Sequence, residues 1–148
     1  MPKLTIIDKN IEQIKQYKNN PKLHSKHQIK QIADSVKEFG FVNPVLLDEN
    51  GEIIAGHGRF MAAQLLNMTT IPTITLSHLS DGQKRLYRIA DNKLTELGKW
   101  DVSLLQMEFK ELENLNLDLE ITGFETEEID NFIINKSGPT NPKEEHIP

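Results

Sequence analysis

Cysteine is absent from the 148 residues. That excludes disulfides, thiol nucleophiles, redox dyads and cysteine-ligated zinc. No apolar run approaches the ~18 residues of a membrane span. The opening Met1-Pro2-Lys3-Leu4-Thr5-Ile6-Ile7-Asp8 has no signal-peptide apolar stretch. The expectation is therefore a cytoplasmic protein with no membrane partner. An excess of positive charge is also missing, since 17 Lys+Arg stand against 22 Asp+Glu for a net charge of −5. A chain so balanced is a poor blanket binder of nucleic acid, because neutralised phosphates supply most non-specific affinity. The deficit is uneven: residues 1–93 carry a balance of +4 and residues 94–148 one of −9. A basic first part can still hold a phosphate locally.

What is present reads as alternating strands and helices, then helices alone. A first strand is expected over Leu4–Ile7, then a helical turn around Ile11, Ile14 and Tyr17 that Asn19-Asn20-Pro21 breaks. Ser25 and Gln28 form a capping box, and Ile29, Ile32, Ala33, Val36 and Phe39 recur as one helical stripe. Lys26, Lys30 and Lys37 turn away from that stripe, and Gly40 stops the helix. Two apolar runs, Pro44–Leu47 and Glu52–Ala55, flank Asn50-Gly51 and predict a β-hairpin. A helix over Arg59–Leu66, a strand over Pro72–Leu76 and a helix opened by Ser80 and Gln83 follow. Val102, Leu105, Phe109 and Leu112 make another stripe capped by Asp101, with Trp100 expected to anchor it on the core. Thr126 starts a last helix around Ile129, Phe132 and Ile133, its acids suited to a helix N-terminus. The predicted organisation is a small α/β domain over 1–97, a helical extension over 98–134 and a flexible tail or linker over 135–148.

Chemistry concentrates at Gly56-His57-Gly58-Arg59. A strand that ends in glycines and enters a helix exposes backbone N–H groups at the positive end of the helix dipole. Arg59, a cation at that end, has no dipole reason to stand there, and an anionic ligand would reverse the sign. A plain tight turn explains the glycines equally well. Arg85, Arg88 and Asn92 share one face of the later helix, Leu86, Ile89 and Ala90 another. The arginine face either closes over phosphates or is solvated. His57 reads as exposed, able to contact a phosphate or to act as acid or base. His24 and His27 lack a third ligand, so no metal site is expected.

The combination closely resembles the ParB/sulfiredoxin-like domain, also labelled the ParB-like nuclease domain. It is carried by Glu38-Phe39-Gly40-Phe41, Asn43-Pro44-Val45 and Gly51-Glu52-Ile53-Ile54-Ala55-Gly56-His57-Gly58-Arg59. Asp81-Gly82-Gln83-Lys84-Arg85, Ala90-Asp91-Asn92-Lys93-Leu94 and Gly123-Phe124 match as well, so the likeness covers roughly residues 3–134. It is similar above all to the subgroup fused to DNA-modification methyltransferases of phages and mobile elements. The resemblance implies a small α/β fold with a short mixed sheet. In ParB proteins the corresponding loop reads Gly-Glu-Arg-Arg and holds the triphosphate of CTP. Gly56 matches the glycine and Arg59 the last arginine, while His57 replaces the glutamate and Gly58 the first arginine. Those two departures leave hydrolysis and clamp closure without support from the likeness. Asp91-Asn92 resembles a Glu-Asn pair, and Asn43-Pro44 the Gln-Pro segment of the same pocket. Sulfiredoxin chemistry needs a cysteine that is missing. No helix-turn-helix is recognisable in the acidic stretch 101–134, and no methyltransferase motif occurs.

Three readings stand side by side. The first is a nucleotide- or phosphate-binding accessory module of a DNA-modification or DNA-maintenance system. Gly56, His57, Gly58, Arg59, Asn43, Arg88 and Asn92 would form its site. A nucleoside triphosphate with Mg2+ would be its ligand, and a fused or separate DNA methyltransferase and DNA its partners. The second is a phosphohydrolase or nuclease with His57, Glu52 and Asp91 as catalytic candidates. The third is a protein- or DNA-interaction module with a vestigial pocket.

Overall fold

A computed structural model describes residues 1–134. The tail expected over 135–148 lies outside them. The elements run β1 (Ile6–Asn10), α1 (Lys26–Phe39), β2 (Val45–Leu47), β3 (Ile53–Ala55), α2 (His57–Leu65), β4 (Thr70–Thr75), α3 (Asp81–Glu96), α4 (Val102–Glu113) and α5 (Thr126–Ile134), with short 3₁₀ turns at Ile11–Gln13 and Leu119–Thr122. The described residues divide into two compact units, Met1–Lys93 and a second that starts at Leu94.

The first unit is of the α/β class. Its four strands form one mixed sheet in the order β1-β4-β2-β3. β1 pairs antiparallel with β4, β4 parallel with β2, and β2 antiparallel with β3. The first strand starts two residues later than Leu4 and runs on to Asn10, so Leu4 is left outside the ladder. Ile14 of the following segment joins Val45, Leu47, Ile53, Phe60, Ala63 and Ile71 in the core.

Local chemistry sets the turns. The Ser25 hydroxyl accepts the Gln28 N–H at 3.0 Å and starts α1 as the capping box requires. Gly40 closes α1 at φ +85°, in the left-handed region. Between β2 and β3 the Asp48 carboxylate accepts the N–H groups of Asn50 at 2.8 Å and Glu52 at 2.9 Å. The hairpin is therefore shaped by Asp48 as much as by Gly51. α1 lies on α2 with Ala33 buried and Ile32 half-buried, whereas Phe39, placed on the stripe by spacing, is exposed. The last turn of α1 has already run past the surface it covers.

The second unit is helical. The Asp101 carboxylate accepts the Leu104 N–H at 3.1 Å and caps α4. Phe109 stacks on Phe132 at 5.5 Å, and Phe124 meets both edge-on. Trp100 packs on Phe124 at 5.3 Å while staying half exposed, so its anchor belongs to this unit's own small aromatic core.

Candidate functional site: the cavity at the start of α2

β3 is buried at all three positions and delivers the chain straight into α2. Gly56 makes the corner at φ +105°, a conformation that side chains rarely adopt. A Cβ there would also stand 3.0 Å from Nη2 of Arg59 and 3.2 Å from Cγ2 of Val45. Gly58 is required for a different reason. Its missing Cβ would lie 2.9 Å from Cδ1 of Ile32 and 3.1 Å from Cε1 of His24, so the glycine lets α1 and the segment before it approach α2.

Around this corner lies a cavity of about 110 Å3. The strand-to-helix turn supplies Gly56, His57, Gly58 and Arg59; the segment before α1 supplies Asn20, Lys22 and His24; α3 supplies Asp91 and Asn92. Gly56, His57, Gly58, Arg59, Asp91 and Asn92, all singled out in the sequence, are thus brought together. α2 begins at His57, two residues before the expected start, so these side chains occupy its first turn.

Arg59 is held rather than free. Its Nε donates to the Asn43 carbonyl and its Nη2 to the Pro44 carbonyl, both at 3.0 Å. Burial pulls its pKa below the ordinary value, against the opposing pull of Asp91 and Tyr87. The guanidinium stays charged and fixed in place. Asn43 contributes only that carbonyl, since its side chain is exposed and does not line the cavity.

Three expectations are corrected. His57 is buried, at 7% exposure, and its Nε2 accepts the Tyr17 N–H at 3.2 Å. Burial, with Arg88 and His24 nearby, pushes its pKa down to about 4. The ring is neutral at pH 7 and is not poised for acid–base work there. Arg88 does not line the cavity. Its Nε and Nη2 donate to the Ile53 carbonyl at 3.3 and 3.1 Å, and its guanidinium stacks over the Tyr17 ring at 3.5 Å. Glu52 stands before β3, at the far end of the strand from the loop, and faces Arg88 at 3.6 Å. Three strand residues separate it from Gly56, so the two lie four steps apart, roughly 13 Å at the usual rise. Of the three catalytic candidates, only His57 and Asp91 reach the cavity.

Sequence reasoning missed Asn20 and Lys22 as cavity walls. The signal was available in Asn20-Pro21-Lys22, where the Asn20 amide donates to the Lys22 carbonyl at 3.0 Å and folds the segment back. It also missed the ion cluster that fastens α3. Lys84 Nζ sits 3.3 Å from Asp48 and 2.8 Å from Glu49. Burial tends to raise the Asp48 carboxyl, yet the Glu52 and Asn50 N–H groups and Lys84 hold it below its ordinary value. Lys84 and Arg88 are one helical turn apart opposite an acidic hairpin, a pattern that charge complementarity makes readable. Among the described residues no three His, Asp or Glu side chains stand close enough to hold a metal ion, and no helix is long and apolar enough to cross a membrane.

Residues 3–93 match the model of the ParB N-terminal domain family. The chain belongs to that family. A second model, the ParB-methyltransferase HTH domain, matches residues 103–148. It covers the stretch whose acidity concealed any helix-turn-helix; such a motif is specified by apolar spacing, and surface charge says little about it. The ParB-like nuclease domain-containing protein YnaK of Escherichia coli (strain K12) is 49% identical over 83 residues, covering 56% of this chain and 95% of that protein. A probable chromosome-partitioning protein ParB of Rickettsia typhi is 39% identical over 66 residues, 44% of this chain and 23% of its own. The ParB-family chain thus spans about a quarter of the length of such partitioning proteins. Among solved structures, the C-terminally truncated chromosome-partitioning protein ParB of Caulobacter crescentus, complexed with CTP-γ-S, superposes with a TM-score of 0.63 at 21% identity, covering 90% of this chain and 72% of that one. That likeness establishes the fold.

Proposed function

We propose that this chain binds a phosphorylated ligand, a nucleoside triphosphate foremost, in the cavity at the start of α2, as a cytoplasmic accessory module of a DNA-modification or DNA-maintenance system. The observation that carries the reading is the fixed cation Arg59 at the positive end of α2, beside the glycine corner and lining one cavity with Lys22 and His24. Anions are favoured at such a place by the backbone N–H groups and by the dipole. The Caulobacter neighbour, which shares the fold, was solved with CTP-γ-S, and this supports a nucleotide over a simple anion. A cavity of about 110 Å3 accommodates phosphoryl groups and leaves the rest of a nucleotide outside it. Asp91 lines the same cavity. A Mg2+ carried by a triphosphate is commonly held through one or two carboxylates, so the residues present fit that ion. The HTH family matched over residues 103–148 supports work beside a DNA methyltransferase, fused or separate. The −9 balance of residues 94–148 argues that DNA is reached through that partner.

The test is thermal stabilisation of wild type and Arg59→Ala by nucleoside triphosphates, with and without magnesium. A ligand at ~100 times its dissociation constant adds about 2.7 kcal/mol to wild type. Stabilisation of wild type alone is expected. Equal stabilisation of both proteins, or of neither, overturns the reading.

A further inference from the structure

Resting on that reading, we propose that His57 is a neutral hydrogen-bond donor to the bound phosphoryl group, locked in a single tautomer with its proton on Nδ1. The lock is geometric. A backbone N–H only donates, so Nε2 must keep its lone pair to accept from Tyr17 at 3.2 Å. The one proton of the neutral ring then resides on Nδ1. Tyr17 is itself immobilised, its ring lying under the Arg88 guanidinium at 3.5 Å while Arg88 holds the Ile53 carbonyl. The chain before α1, the strand β3 and helix α3 therefore all fix which nitrogen of His57 carries hydrogen.

The other half of the argument is where that hydrogen can go. The His57 side chain lines the cavity, and no hydrogen bond engages its Nδ1 among the described residues. No fully buried side-chain nitrogen or oxygen among those residues lacks a partner, so Nδ1 is not enclosed, and the cavity that His57 lines is where it can meet a ligand. A fixed N–H beside a glycine corner and a fixed guanidinium selects an oxygen acceptor, such as a phosphoryl oxygen. The same lock removes His57 as a general base, because Nε2 is engaged and Nδ1 is already protonated. The charged and titratable groups that face it are Arg88 and Asp91 from α3, His24 and Lys22 from the segment before α1, and Arg59 on its own helix. Burial, with Arg88 and His24, disfavours the imidazolium and keeps the donor neutral.

The experiment combines long-range proton–nitrogen correlation spectra of the full chain with titrations of CTP and inorganic tripolyphosphate against His57→Ala, His57→Asn and His57→Gln. Asparagine places its amide nitrogen where Nδ1 stands, glutamine where Nε2 stands. Expected are an Nδ1–H ring that does not titrate from pH 8 down to about 5.5, and a loss of affinity on the order of tenfold in Ala and Gln but less than about threefold in Asn. An Nε2–H ring, an imidazolium at neutral pH, or wild-type affinity in the Ala variant overturns the proposal. If His57→Ala does not fold, the Asn and Gln variants and the spectra decide it. Arg59→Lys separates the two levels. Lost binding there with unchanged binding in the His57 variants overturns the donor alone. Wild type that binds neither probe, or unchanged binding in Arg59→Lys, overturns the pocket reading and the donor with it.

Discussion

Helices α1 and α3 are both amphipathic, and they use that property in opposite senses. α1 turns Ile32 and Ala33 toward α2 and leaves Lys26, Lys30 and Lys37 in solvent. α3 buries Lys84 and Arg88 and exposes Leu86 at 70% and Ile89 at 58%. One helix is held by removing apolar area from water, the other by charged side chains that reach an acidic hairpin and a strand carbonyl. Apolar burial is non-directional and is not weakened by charge screening. Ion pairs are directional, fix the register of a helix, and contribute little unless well placed. α3 carries Asp91 and Asn92 to the cavity, so the element held by charge is also the one that completes the site.

That contrast can be broken from either side. The largest effect is expected in the apolar half, where Phe60→Ala removes a ring 3% exposed in the core. It should cost about 3–5 kcal/mol in urea unfolding, nearly independent of salt. On the charged half, Arg88→Met keeps the stem but forfeits the bonds to Ile53 and the stack on Tyr17. A loss of about 2–3 kcal/mol is expected from the same measurement. It should be accompanied by release of the His57 tautomer in nitrogen spectra, which Phe60→Ala should not produce. If Arg88→Met is as stable as wild type, α3 is not held in the way described.

A third test uses pH. The His57 pKa lies near 4 in the folded chain against 6.5 unfolded. Between those values the unfolded chain binds the proton and the folded one does not, so stability falls as pH drops from 6.5 toward 4. Cavity solvent screens part of the shift, leaving about 1–2 kcal/mol across the window. His57→Asn should flatten that slope; an unchanged slope would assign it to other groups. Asp48 acts at lower pH, with a shift in the same direction. Its contribution is whole above its unfolded value of 3.8 and is lost as pH falls through its depressed folded value. The smallest effect belongs to the outer face of α3, where Leu86→Gln should change stability by less than about 0.5 kcal/mol. A larger loss would mean that the apolar face is not solvated in the free chain.

The glycine corner, Arg59 and Asp91-Asn92 were legible in the sequence because each depends on local backbone or on helical spacing. His57 and Arg88 were misplaced for a shared reason. Both are buried, and both meet Tyr17, some forty and seventy positions away. Glu52 was linked to the loop by sequence proximity, and the extended strand carried it to the opposite end. Nothing in a linear pattern states which face of α3 meets the hairpin; the apolar face was the reasonable expectation.

The sequence by itself determined the elements, the caps at Ser25 and Asp101, the mixed α/β class and the place of the glycine corner. Those follow from propensity, period and the few residues that tolerate a left-handed turn. Tertiary structure alone decided that the His57 Nε2 accepts from Tyr17, that Arg59 is fixed by the Asn43 and Pro44 carbonyls, and that Lys22 lines the same cavity. Each of these depends on donors and acceptors brought together from distant segments, and that pairing exists only once the chain has closed on itself.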